Sequence, residues 1–150
     1  MKKVEGDCIP NDSVLYYVAD PMCSWCWGFR EARDEVFKVI GEEVKIEFVM
    51  GGLARDTDEP MPEETKSYIK EAWRQVNART AAEFNGDFWE NCQPRRSTYP
   101  SCRAVIAAAD KGPEMFDRIQ QAYYLEARNP SDVEVLCSLA TELDLDEGEF

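Results

Sequence analysis

The sequence predicts a mixed α/β chain in which one strand–helix–strand unit is followed by helices alone. Two short runs of strand character, Val14–Ala19 (VLYYVA) and Lys45–Met50 (KIEFVM), flank a stretch one helix long. Two strands joined by a helix close as a right-handed parallel pair. The third observation is the remainder of the chain, where apolar residues recur only at helical spacing.

Val14–Ala19 is a continuous apolar run of β-branched and aromatic residues, the pattern of a buried strand. Asp20-Pro21 ends it, because proline disfavours helix in the residue before it. A helix is expected from about residue 23 to 40, with Trp27, Ala32, Val36, Val39 and Ile40 inward and Gly41 as its C-terminal cap. In Lys45–Met50, Ile46, Phe48 and Met50 alternate with Lys45, Glu47 and Val49. A helix over 63–84 places Ile69, Trp73, Val76 and Thr80 on one face, and 85–98 reads as irregular. Helices follow over 100–111, stopped by Gly112, and over 113–128, where Pro113 suits a first turn. Ser131 and Glu134 have the spacing of a capping box, opening a helix with Val133, Leu136, Cys137 and Ala140 inward. Residues 144–150 read as the start of another helix.

The 150 residues fit one compact unit with a core, and 44% hydrophobic with 31% charged residues is a globular composition. Thirty acidic against 17 basic residues give a net charge of -13. Such a surface repels phosphate backbones and anionic lipid, so neither nucleic acid nor a membrane is the expected partner. Met1 to Asp7 carries two lysines but no apolar segment behind them, and no run approaches membrane-spanning length. A cytoplasmic setting is therefore expected, and with it six cysteines that serve as thiols, metal ligands or transient redox partners.

The sharpest local feature is Cys23-Ser24-Trp25-Cys26, just after a strand and at the start of a helix. Two cysteines three apart at a helix start bring their sulfurs to disulfide distance. The helix N-terminus offers unpaired N–H groups and a positive dipole end, which favour the thiolate, the nucleophilic form. Cys23 at the helix tip is the expected attacking thiol, and Cys26, a turn in, the resolving thiol. Ser24 and Trp25 carry no ionisable group, leaving the helix terminus as the local thiolate stabiliser. Trp25 is expected at the surface, gripping substrate, whereas Trp27 and Phe29 are expected in the core. The competing chemistry is half of a zinc site. Zinc wants four ligands, and the chain has no histidine and no second CxxC pair, so neither metal nor cofactor is expected. Cys8, Cys92, Cys102 and Cys137 could still contribute ligands.

The remaining cysteines read more plainly. Cys137 lies on an apolar helical face, and Cys102 lies in line with Val105, Ile106 and Ala109, as a packed residue or an accessory to the redox pair. Cys8 and Cys92 fall in irregular segments as exposed thiols, with a disulfide partner for Cys8 or Cys92 as the alternative. Arg95-Arg96 reads as a solvated pair.

The stretch from Tyr17 through Asp20-Pro21-Met22-Cys23-Ser24-Trp25-Cys26 to Phe29 resembles the DsbA-like branch of the thioredoxin superfamily, most closely its FrnE-like subgroup of predicted protein-disulfide isomerases. Val49-Met50-Gly51-Gly52-Leu53 and the segment from Arg95 to Ala104 match the same subgroup. The resemblance implies a thioredoxin-like βαβ portion with the CxxC at 1–60 and an inserted all-helical domain at 61–150. It also implies disulfide- or thiol-containing substrates, protein or small molecule, and a partner that recycles the site. Family members continue with an antiparallel strand pair, preceded by a cis-proline facing the CxxC, and a closing helix. No proline here stands in that position, so the C-terminal strand pair is expected to be missing and the chain to be a truncated form. Two parallel strands alone would leave an edge open to self-association. The alternative function is a metal-binding or redox-sensing interaction module using the same cysteines.

Overall fold

The computed structural model describes residues 12–146 and 148. Strand β1 (Val14–Ala19) leads through a turn into α1 (Ser24–Ile40), and β2 (Lys45–Met50) returns beside β1. The strands pair in parallel, from Val14 opposite Lys45 to Ala19 opposite Met50, and form the two-stranded sheet of the described residues. Helices follow: α2 (Glu63–Thr80), the short α3 (Phe88–Asn91), α4 (Tyr99–Ala107), a 3-10 turn at Ala109–Lys111, α5 (Gly112–Tyr124) and α6 (Val133–Glu142).

Two cores hold these elements, and both draw on the strand–helix–strand unit as well as on the later helices. Ala19 at the end of β1 packs with Val105, Met115, Phe116, Ile119 and Leu139 of α4, α5 and α6. Trp27 of α1 packs with Trp73, Phe88, Tyr123 and Tyr124 in an aromatic cluster. Its indole stacks on Tyr124 at 5.4 Å and donates its N–H to the Glu83 carbonyl at 2.9 Å. The CxxC turn therefore rests on a packed aromatic floor.

Several expectations are corrected. β1 alternates: Tyr17 and Ala19 face the core while Tyr16 and Val18 stand exposed, because only one face of the strand is covered. On α1 the expected inward residues Ala32, Val36 and Val39 are exposed, Val39 at 78%, and Phe29 is exposed too. Beside Trp27, which is buried as expected, the buried residue of α1 is Arg33, 2% exposed, paired with Asp34 at 2.7 Å and with Asp117 of α5 at 2.8 Å. Its guanidinium lies about 6 Å from the ring centres of Tyr17, Phe37, Phe48 and Phe116. Aromatic rings and two carboxylates together make a cation tolerable where an aliphatic residue was expected.

Helix ends differ as well. α2 stops at Thr80 because Ala81 takes a left-handed conformation, φ 59°. The 85–98 stretch contains α3, and the helix expected over 100–111 breaks into α4 and the 3-10 turn. Gly112 opens α5 instead of stopping the helix before it. Over α4 and the turn that follows it, Ile106 and Ala109 point outward, and Ser101, Cys102, Ala104, Val105 and Ala108 point in. The capping box does not form: Asp132 precedes α6, Val133 is exposed, and Ser131 Oγ donates to the Ser97 carbonyl at 3.1 Å. Asp144, left-handed at φ 55°, turns the chain where a further helix was expected; residues 147, 149 and 150 of that stretch, like Cys8, lie outside the described residues. No described helix is long and apolar enough to cross a membrane.

Candidate active site

The parallel strands end side by side, and the loops leaving them build the site. Cys23 caps α1 in an extended conformation, so its sulfur meets the first turn of the helix. Its backbone N–H donates to the Asp20 carbonyl at 3.0 Å, closing the turn after β1. Asp20 is buried, and its carboxylate accepts from the Met22 N–H at 2.8 Å and from the Leu53 N–H at 2.9 Å. One side chain thus ties the loop after β1 to the Gly51-Gly52-Leu53 loop after β2. Gly52 is left-handed there, φ 61°, and a Cβ on it would lie 3.0 Å from the Tyr99 ring.

Cys23 and Cys26 are both half-buried, so exposure does not rank them. Protonation does. The Cys23 thiol is brought down to about 6, foremost by a hydrogen bond from the Cys26 thiol, with help from the backbone N–H groups of Cys26 and Trp25 and against the cost of burial. The Cys26 thiol is pushed up, foremost because its proton is engaged with Cys23 and then by burial. The pair shares one proton, and Cys23 is the partner that carries the charge. The helix terminus contributes as expected, but the larger share comes from Cys26, which the sequence reading did not assign to that task.

The two cysteines also open in different directions. Cys23, Ser24 and Trp25 line a cleft of about 280 Å³ with Leu53, Ile69 and Arg96 among its other walls. Cys26 lines a shallow groove with Tyr17, Val18, Trp25 and Phe29 between β1 and α1. Trp25 stands between the two openings, exposed, with the Arg79 guanidinium 5.6 Å from its ring centre.

Cys102 is buried on α4 and donates its thiol to Asp20 Oδ2 at 3.4 Å. Burial and the Asp20 charge push it up to about 12, so it is held as a thiol behind the loop. Cys92 is not the free surface thiol expected: it donates to the Ala127 carbonyl at 3.1 Å, and burial raises it. Cys137 is partly buried on α6. Among the described residues no group of three or more Cys, Asp or Glu side chains is gathered as for a metal ion. Arg95 and Arg96 are not alike. Arg95 pairs with Asp132 at 3.0 Å, while Arg96 is exposed at the cleft with no ion pair among the described residues.

Sequence reasoning missed Asp20 and Arg96. Asp20 reads as a strand breaker before proline, and its partners lie in loops distant along the chain. Arg96 has no local signal separating it from Arg95.

A family model described as thioredoxin matches residues 16–150. Among curated proteins, the ClpXP adapter protein SpxH of Bacillus subtilis is 25% identical over 91% of this chain. The uncharacterised protein YwbO of the same organism is 27% identical over 88%. The chain spans 46% and 66% of their lengths. Among solved structures, a proposed protein disulfide isomerase from Nitrosomonas europaea superposes with a TM-score of 0.80 at 29% identity. That match covers 93% of this chain and 68% of the other. The cytosolic disulfide reductase DsbM from Pseudomonas aeruginosa gives 0.76 at 27% identity, over 91% and 66%. A DsbM structure with GSH gives 0.76 at 26%, over 91% and 67%.

Proposed function

The chain belongs to the thioredoxin family, in its DsbA-like branch, and from that premise we propose that it is a thiol–disulfide oxidoreductase working as a disulfide reductase. The observation that carries this reading is the asymmetric pair, with Cys23 ionised near neutral pH and Cys26 holding the proton beside it. The Cys23 thiolate attacks one sulfur of a substrate disulfide, forming a mixed disulfide and expelling the first thiolate. Cys26 then gives up its proton and attacks the Cys23 sulfur, which forms the Cys23–Cys26 disulfide and expels the second thiolate. The substrate has gained two electrons, and two external thiols return them by reducing the Cys23–Cys26 bond.

The reducing direction has physical support. A very stable thiolate stabilises the reduced enzyme and makes it an oxidant, as in proteins whose thiol lies near ~3.5; reductants of this kind lie near ~7. Cys23, at about 6, is on the reductant side. The likeness to DsbM, a cytosolic disulfide reductase with a solved structure with GSH, points to glutathione as the recycling thiol or as half of the substrate disulfide, and to a cytoplasmic setting. Equilibration in glutathione buffers tests this. The expected potential lies nearer the thioredoxin value of about -270 mV than the strong-oxidant value of about -120 mV. A value at the oxidising end would reverse the direction, and Cys23→Ser must abolish exchange.

One observation favours a second reading. The likeness to a ClpXP adapter fits a redox-sensing interaction module in which the same pair controls docking. Catalytic turnover of a disulfide separates the two, because a sensor reacts once per chain.

A further inference from the structure

The cleft on Cys23 has chemistry that the redox pair does not use. Arg96 stands at it with no ion pair among the described residues, although the chain carries 30 carboxylate side chains and 17 cationic ones. Its neighbour Arg95 is engaged by Asp132 and the Ser131 carbonyl, so the local backbone does not prevent pairing. Ser97 lines the same cleft, is 2% exposed, and its hydroxyl is buried without a hydrogen-bond partner. A buried hydroxyl left unpaired costs free energy, and a ligand oxygen reaching it would recover that cost. A guanidinium fork and a free hydroxyl on one cleft are a donor set matched to a carboxylate. Ser24, Thr98 and the already paired Arg95 also line the cleft, and most of its other walls, Leu53, Ile69 and Trp25 among them, are apolar.

We propose that Arg96 and Ser97 form a carboxylate subsite in the Cys23 cleft, and that the substrate it selects is a small thiol or disulfide bearing a carboxylate. The proposal rests on the oxidoreductase reading and assigns its substrate class. The surface as a whole, at -13, repels anions, so an anionic substrate needs a local cation to be held at Cys23. Arg96 is the residue that supplies it. The redox step is unchanged: the bound disulfide takes two electrons from the Cys23–Cys26 dithiol and leaves as two thiols.

The test is a stopped-flow measurement of the pre-reduced chain mixed with three disulfides: oxidised glutathione (anionic), bis(2-hydroxyethyl) disulfide (neutral) and cystamine (cationic). The wild-type chain should oxidise fastest with glutathione disulfide at low ionic strength. Arg96→Gln should slow that reaction about tenfold and leave the neutral disulfide within about twofold. Arg96→Lys should recover part of the loss, and Ser97→Ala should slow the anionic reaction alone. Equal slowing of all three disulfides, no effect of Arg96→Gln, or a preference for cystamine would overturn the subsite. Reaction with the neutral disulfide but no anion preference removes the subsite and leaves the oxidoreductase reading standing. Failure with all three removes both.

Discussion

Asp20 accepts the backbone N–H of Leu53 at 2.9 Å across 33 residues of sequence, so a carboxylate at the end of one strand holds the loop that leaves the other. The same group accepts from Met22 and faces the Cys102 thiol, and its charge opposes ionisation of Cys23 and Cys26. Asp20→Ala leaves two N–H groups without their acceptor, at about 1–3 kcal/mol for each buried donor left unpaired. A loss of about 2–6 kcal/mol is expected in urea unfolding. Asp20→Asn keeps an oxygen but removes the charge. The pH midpoint of Cys23 alkylation should then move below its wild-type value of about 6, and an unchanged or higher midpoint would contradict the electrostatic role.

Reduced chain treated with iodoacetamide should label Cys23 first, with a midpoint near pH 6, while Cys102 and Cys92 stay unmodified in the folded state. Peptide mapping reads the order, and faster labelling of Cys26 would reverse the roles. Stability follows by linkage. A thiol whose folded value is lowered contributes stability that is fully present above its unfolded value of about 9 and is lost as pH falls through about 6. The reduced chain should therefore gain stability from pH 6 to 9 relative to Cys23→Ser.

What the sequence made legible was local. The strands Val14–Ala19 and Lys45–Met50 and the helix opening at the CxxC follow from runs of apolar residues bounded by Pro21 and Gly41, and the structure has them at those positions. Trp25 stands at the surface and Trp27 in the core, as expected. What was not legible depends on partners far along the chain. Arg33 is buried because Asp117 and four rings meet it there, so reading Val36 and Val39 as the inward face failed. Arg95 and Arg96 differ because Asp132, Asp58 and the Ser131 carbonyl reach the first of them. What escaped inside the CxxC pair was the hydrogen bond from the Cys26 thiol to Cys23, because helix position predicts a dipole and not that contact.

Gly28 on α1 faces Val76 and Thr80 on α2. A Cβ there would lie 2.5 Å from Val76 Cγ1 and 3.0 Å from Thr80 Oγ1. Gly28→Ala would gain about 1 kcal/mol of helix propensity but lose about 1–3 kcal/mol to overpacking, since Val76 is fully buried and branched. A net loss of about 1 kcal/mol is expected by thermal unfolding. Val76→Ala makes room, so in that background Gly28→Ala should turn neutral or stabilising. Additive effects in the double variant would show that the two helices do not meet as described.

The last prediction separates the two sources of Cys23 acidity. If the Cys26 thiol is the main donor, Cys26→Ala removes it and leaves only the N–H groups of Trp25 and residue 26 to oppose burial. The Cys23 midpoint should then rise from about 6 by more than about one pH unit, toward the ordinary thiol range near ~8.5. Cys26→Ser keeps a hydroxyl that can donate in the same direction, so its midpoint should stay closer to the wild-type value. Both variants lack the resolving sulfur. Each should therefore accumulate a mixed disulfide at Cys23 when given a substrate disulfide, visible as a mass increase reversed by dithiothreitol. Alkylation rates measured across pH 4–10 on both variants decide the matter. A Cys26→Ala midpoint equal to wild type would mean that the helix terminus alone sets the ionisation of Cys23, as the sequence by itself had led us to expect.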